Sequence, residues 1–80
     1  MTLSQLAKGA RATVAEVEQR SPGDPLARRL RALGFVGGEP VRVVGTAPLG
    51  GDPILVQVGF TRFALRRSEA ERVRVEQVDA

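Results

Sequence analysis

The sequence predicts an all-β fold, a small barrel of about five short strands with one short helix inserted after the first strand. Three observations carry this expectation. Nine glycines and five prolines divide the 80 residues into short pieces. Most of these pieces alternate apolar and polar residues with the period of two that a pleated strand requires. One longer piece has helical spacing instead. Eighty residues leave no room for a second domain, so residues 1–80 are expected to fold as a single unit. Strands this short cannot build a broad flat sheet, whereas curling into a barrel shelters the edges and lets the helix close one end.

Leu3 and Leu6, three apart, predict a single helical turn that ends at Gly9. Residues 10–18 predict the first strand, with Ala12 and Val14 on one face and Thr13 and Ala15 on the other. Val17 breaks that alternation and predicts a bulge or a strand end near Glu16. Asp24-Pro25 is a helix entry: the carboxylate can accept from the free N–H groups, and proline at the first helical position has no donor to waste. Leu26, Leu30 and Leu33 then form an apolar stripe, with Arg28 and Arg31 opposite and Arg29 on its border. Gly34 is suited to a left-handed C-cap. A helix of about nine residues is unstable alone and has to dock on a core.

The rest of the chain predicts strands. Val41 and Val43 alternate with Arg42 and Val44, and Ile54, Val56 and Val58 alternate with Leu55 and Gln57. Phe63 and Leu65 alternate with Arg62, Ala64 and Arg66, and Val73 and Val75 with Arg72, Arg74 and Glu76. Gly59-Phe60-Thr61 fits a hairpin turn. Residues 68–71 predict one helical turn capped by Ser68 before the last strand.

The composition excludes much chemistry. Without Cys or His there is no thiol nucleophile, disulfide, Cys/His zinc site or imidazole base. The pI of about 11 reflects eleven arginines among twelve basic residues rather than a large surplus, because the net charge is only +3. Acidic and basic residues alternate along the chain and the only aromatics are Phe35, Phe60 and Phe63. Nucleic acid is therefore not the expected partner. Lys8 and Gly9 interrupt the start before any signal-peptide core develops, and no apolar run approaches the roughly 18 residues of a membrane span. A cytoplasmic, non-membrane protein is expected.

Neither Gly34-Phe35-Val36-Gly37-Gly38 nor Leu49-Gly50-Gly51 has the lysine and hydroxyl residue of a phosphate loop; the lone lysine is Lys8. The carboxylate pairs Glu16/Glu18 and Glu69/Glu71 lack an apolar pocket that would split their pKa values. With Arg66, Arg67, Arg72 and Arg74 nearby, Glu69 and Glu71 are expected in solvated ion pairs. No cofactor, metal site or catalytic residue is expected, and the chain is not expected to be an enzyme.

The most informative segment is residues 46–53, Thr-Ala-Pro-Leu-Gly-Gly-Asp-Pro, eight residues where two to five would close a hairpin. Two prolines stiffen it, and Leu49 stands apolar among turn residues beside the anionic Asp52, either to fold back over the barrel mouth or to contact a partner. Pro48, Leu49, Gly50, Asp52 and Pro53 are the candidate partner-binding residues. Arg28 and Arg31, on the solvated side of the helix, are a secondary candidate for electrostatic steering.

Leu30-Arg31-Ala32-Leu33-Gly34-Phe35, Gly38-Glu39-Pro40-Val41, Pro48-Leu49-Gly50-Gly51-Asp52-Pro53, Ala64-Leu65-Arg66 and Glu69-Ala70 together resemble the FeoA family, in order and from Leu3 to Val75. Gly37 stands where that family usually has proline, which implies a looser turn, and an extra glycine follows Leu49. The resemblance implies an SH3-like barrel and an accessory role in bacterial ferrous iron uptake. Its implied partner is the cytoplasmic part of FeoB, a membrane GTPase transporter. The platforms that grip proline-rich peptides are Trp and Tyr, which this chain lacks. Two alternatives accompany this reading. Metal-dependent transcription regulators carry a similar barrel, but about twenty residues ahead of the helix are too few for a helix-turn-helix. A weak divalent-metal or nucleic-acid-binding module is the other.

Overall fold

The structure, a computed structural model, describes residues 1–48 and 50–78. A 3-10 turn at Leu3–Gln5 precedes β1 (Arg11–Val17), α1 (Pro25–Ala32), β2 (Pro40–Thr46), β3 (Ile54–Val58), β4 (Thr61–Leu65), α2 (Arg67–Ala70) and β5 (Val73–Gln77). The strands form one antiparallel sheet in the order β4-β3-β2-β1-β5.

Two irregularities curl this sheet. The pairing of β1 with β5 shifts between Val14 and Glu16, which is the bulge that Val17 predicted. The shift turns Ala12, Val14 and Val17 all toward the core. A second shift, between Val43 and Gly45, bends β2 against β3. At the two ends of the sheet, β4 and β5 are joined through α2 and not, among the described residues, by strand pairing. The outer edge of β5 is occupied by the N-terminal segment, with Thr2 bridging Arg74 and the Val75 N–H donating to the Met1 carbonyl at 2.9 Å.

α1 begins and ends as its sequence dictates. Asp24 Oδ1 accepts from the N–H groups of Leu26 (3.1 Å) and Ala27 (3.4 Å), and Pro25 occupies the first helical position. At the other end Gly34 takes φ +115°, its N–H donates to the Arg31 carbonyl, and the Phe35 N–H reaches back to the Leu30 carbonyl, each at 3.1 Å. This double closure turns the chain back at the helix end, and Leu30 and Phe35 are both fully buried. The helix buries Ala27 and Leu30, while Leu26 and Leu33 are half-buried flanks of the stripe. The small Ala27 lets the helix approach closely there.

Several expectations are corrected. Ser68 is not the cap of α2. The helix starts one residue earlier, at Arg67, and its end is satisfied by Glu69 Oε1 accepting from the Arg66 N–H (2.9 Å) and Asp52 Oδ1 accepting from the Arg67 N–H (3.1 Å). A carboxylate arriving from another loop takes the place a local hydroxyl would have had. The turn at Gly37 is not loose. The Gly38 N–H donates to the Val14 carbonyl (2.8 Å) and the Val14 N–H to the Glu39 carbonyl (2.9 Å), tying it to β1. The hairpin β2–β3 also closes further than expected: Thr46 pairs with Ile54 and the Ala47 N–H donates to the Pro53 carbonyl at 3.0 Å, leaving residues 48–52 as the tip. Gly50 and Gly51 in that tip have φ +77° and +67°, so the extra glycine supplies a second left-handed residue that a side chain would strain.

Candidate functional site

The loop between β2 and β3 is held from one side by a single residue, Arg67. Its N–H donates to Asp52 Oδ1, its Nε to the Gly51 carbonyl (3.0 Å), and its Nη1 to the Ser4 carbonyl (3.4 Å). One half-buried arginine at the start of α2 thus ties together the loop, the helix and the N-terminal turn. Asp52 was expected to offer an exposed anion to a partner. It is exposed, yet its carboxylate also caps α2 and sets the loop's approach to the rest of the molecule.

Of the loop candidates, Pro48, Gly50, Asp52 and Pro53 are exposed; Leu49 lies outside the described residues. The Asp52–Pro53 peptide bond is cis. Arg28 and Arg31 are exposed on α1, with Arg31 Nη2 3.5 Å from Gln19 Oε1. The arginine that links α1 to α2 is Arg29, which pairs with Glu69 Oε2 at 3.2 Å. The expected Glu69 pairing with its sequence neighbours is therefore replaced by a bridge to α1. Among the described residues, the loop and the Arg28/Arg31 face are joined only indirectly, through Arg67, Glu69 and Arg29.

Two features escaped the local reading of the sequence. Arg72, which was assigned to an outward position before Val73, is buried and pairs with Asp24 Oδ2. Phe60, in the two-residue turn between Val58 and Thr61, is wholly exposed at 105%. An aromatic residue where turns favour Gly, Asn or Asp was the signal available for it. Among the described residues, no three of His, Cys, Asp or Glu come together in a way that could hold a metal ion. Nor is any helix there long and apolar enough to cross a membrane.

The model of the FeoA domain matches residues 1–77. The chain belongs to the FeoA family. Over its whole length it is 34% identical to a Fe(2+) transport protein A/Fe(2+) transporter FeoB fusion protein of Porphyromonas gingivalis, of which it spans only 9%. The crystal structure of Stenotrophomonas maltophilia FeoA, complexed with zinc and described as a prokaryotic SH3 domain protein, is 59% identical, with a TM-score of 0.85 over 95% of this chain and 89% of that one. A manganese-dependent transcriptional repressor shares the fold at 20% identity, with a TM-score of 0.82, the match covering 98% of this chain and 36% of the repressor. The curled five-stranded sheet is accordingly an SH3-like barrel, and FeoA proteins are ferrous iron transport accessories.

Proposed function

We propose that this FeoA protein is a non-enzymatic accessory of ferrous iron uptake in the cytoplasm, acting by docking on the cytoplasmic part of a FeoB-type membrane GTPase. The observation that carries this reading is the fusion protein, in which a FeoA domain matching the full chain shares one polypeptide with FeoB. Fusion holds two modules at high effective concentration; modules on separate chains need an interface to achieve the same.

The loop at residues 48–53 is the primary docking surface. Arg67 and Asp52 fix its base before any partner arrives, so little conformational entropy is lost on binding. Leu49 supplies the apolar anchor, and Arg28 and Arg31 add longer-range attraction. The chemistry points away from catalysis, since the chain has no His or Cys and no phosphate-loop lysine. The likeness to the manganese-dependent repressor is one of fold alone and lends no support to a role in transcription.

The test is uptake of radioactive Fe²⁺ by cells lacking the endogenous gene. Wild type should restore uptake and Leu49→Ser should restore much less at equal protein level. Equal rescue by both would contradict the loop assignment. The purified protein should hydrolyse neither GTP nor ATP, and it should show no saturable low-micromolar Fe²⁺ site, because its hard oxygen donors form no cluster among the described residues. Turnover above a buffer blank would overturn the non-enzymatic reading.

A further inference from the structure

The register of the sheet sorts charges that the sequence scatters. Arg11 lies opposite Arg42, Arg42 opposite Gln57, and Gln57 opposite Arg62, so one row across β1, β2, β3 and β4 carries three arginines on the outer face. Their neighbours Ala12, Val41, Val43, Val56 and Val58 point to the core, which leaves no ambiguity about the face. Lys8, bridged to Val43, joins them: Lys8, Arg42, Val44 and Arg62 line one shallow depression, and Arg11, Thr13, Pro40, Arg42, Gln57 and Val78 line a second beside it. No carboxylate among the described residues forms an ion pair with any of the four cations. Like charges placed directly opposite each other destabilise a sheet, and nothing in the packing requires this row.

The row is also oriented. Gln57 Nε2 donates to the Gly59 carbonyl (3.3 Å), which turns its Oε1 to accept from Arg62 Nε (3.0 Å). Arg62 is thereby held along the face, and among the described residues its terminal N–H groups make no hydrogen bond. We propose that this row binds an extended, acidic segment of a partner protein, with Arg42 and Arg62 each receiving a carboxylate. Adjacent strands are about 4.8 Å apart, so Arg42 and Arg62 stand about 10 Å apart, within reach of alternate carboxylates repeating about every 6.8 Å. A guanidinium fork fits a carboxylate in two parallel hydrogen bonds, and fixing its direction favours a discrete ligand over diffuse attraction to a charged bilayer. Single-stranded nucleic acid would call for aromatic faces among the cations, and the exposed aromatic here, Phe60, sits in the turn and not in the row. The proposal stands apart from the transporter reading and is tested without the transporter.

The experiment is fluorescence anisotropy of a labelled peptide of alternating glutamate and serine, at low and at physiological salt. Arg42→Gln with Arg62→Gln should weaken binding about tenfold per arginine. Arg20→Gln with Arg74→Gln removes the same charge outside the row, from arginines paired with Glu18 and Glu16, and should leave binding nearly unchanged. Amide shifts on peptide addition to wild type should concentrate at Arg42, Gln57 and Arg62. Equal losses in the two double variants, absence of peptide binding by wild type, or shifts centred elsewhere would overturn the proposal. So would tighter binding to phosphatidylserine vesicles or to single-stranded RNA at the same salt.

Discussion

Asp24 does two jobs with one carboxylate. Oδ1 caps α1, while Oδ2 accepts from the Arg20 N–H at 3.0 Å and from the Arg72 guanidinium, whose Nε in turn donates to the Glu18 carbonyl at 3.3 Å. The pair is buried, so removing one partner strands a charge out of water. Asp24→Ala should therefore cost roughly 3–5 kcal/mol in urea denaturation. Asp24→Asn combined with Arg72→Met keeps a cap acceptor and strands no charge, and should lose less than Asp24→Ala alone; a double variant as unstable as the single would contradict this. The cap was legible in the sequence because capping is local. The ion pair was not, because its partners are 48 residues apart and the alternation that placed Arg72 outward begins only at Val73. Glu18 offers a pH test. The hydrogen bond from Arg20, aided by the charges of Arg20, Arg72 and Arg74 and opposed by slight desolvation, holds its carboxyl below the usual carboxylate range. A depressed folded-state pKa adds stability above the unfolded value, about 4.3, and that contribution is lost as pH falls through the folded one. The side chain is exposed, so the readout is its NMR titration, which should have a midpoint below that of free glutamate. A midpoint at or above the free value would contradict the pairing.

At the scale of elements, α1 shows why a short helix can be read from its sequence. Proline at its start, glycine past its end and leucines on one face all point the same way, and agreement among local signals is what specifies a structure. Leu30 lies at the centre of that face and is fully buried. Leu30→Ala should cost roughly 2–5 kcal/mol. A thermal melt matching wild type would show that the stripe is not core. The loop after β2 is the opposite case. Its prolines and glycines marked it as special, but its length was overestimated because Ala47 and Pro53 extend the pairing, and its tether to Arg67 involves a residue that follows two further strands. Asp52→Ala removes one exposed hydrogen bond and should cost no more than about 1 kcal/mol. Amide exchange at Arg67 and Gly51 should nonetheless quicken. Unchanged exchange would mean that the loop does not depend on Asp52.

For the whole molecule, the sheet does what the linear sequence hides. It gathers Arg11, Arg42 and Arg62 in one row while Glu16, Glu18 and Glu69 are engaged by arginines elsewhere. Composition alone described a mild surplus of positive charge; registration of the strands turns it into a patterned surface. The fold class could be read because alternation and turn residues report burial directly. The proposed docking surface was marked in the sequence only by prolines and glycines around an apolar Leu49, since a partner leaves no periodic trace in the chain that receives it. The most direct test of docking is calorimetric titration of the protein into the cytoplasmic part of a FeoB-type transporter, with a melt of each variant to confirm folding. Wild type should bind saturably, Leu49→Ser should bind markedly more weakly with an unchanged melt, and Arg28→Glu with Arg31→Glu should lose less, in a way that salt reduces. Absence of binding by wild type at any ratio, in low or physiological salt, would contradict the proposed function.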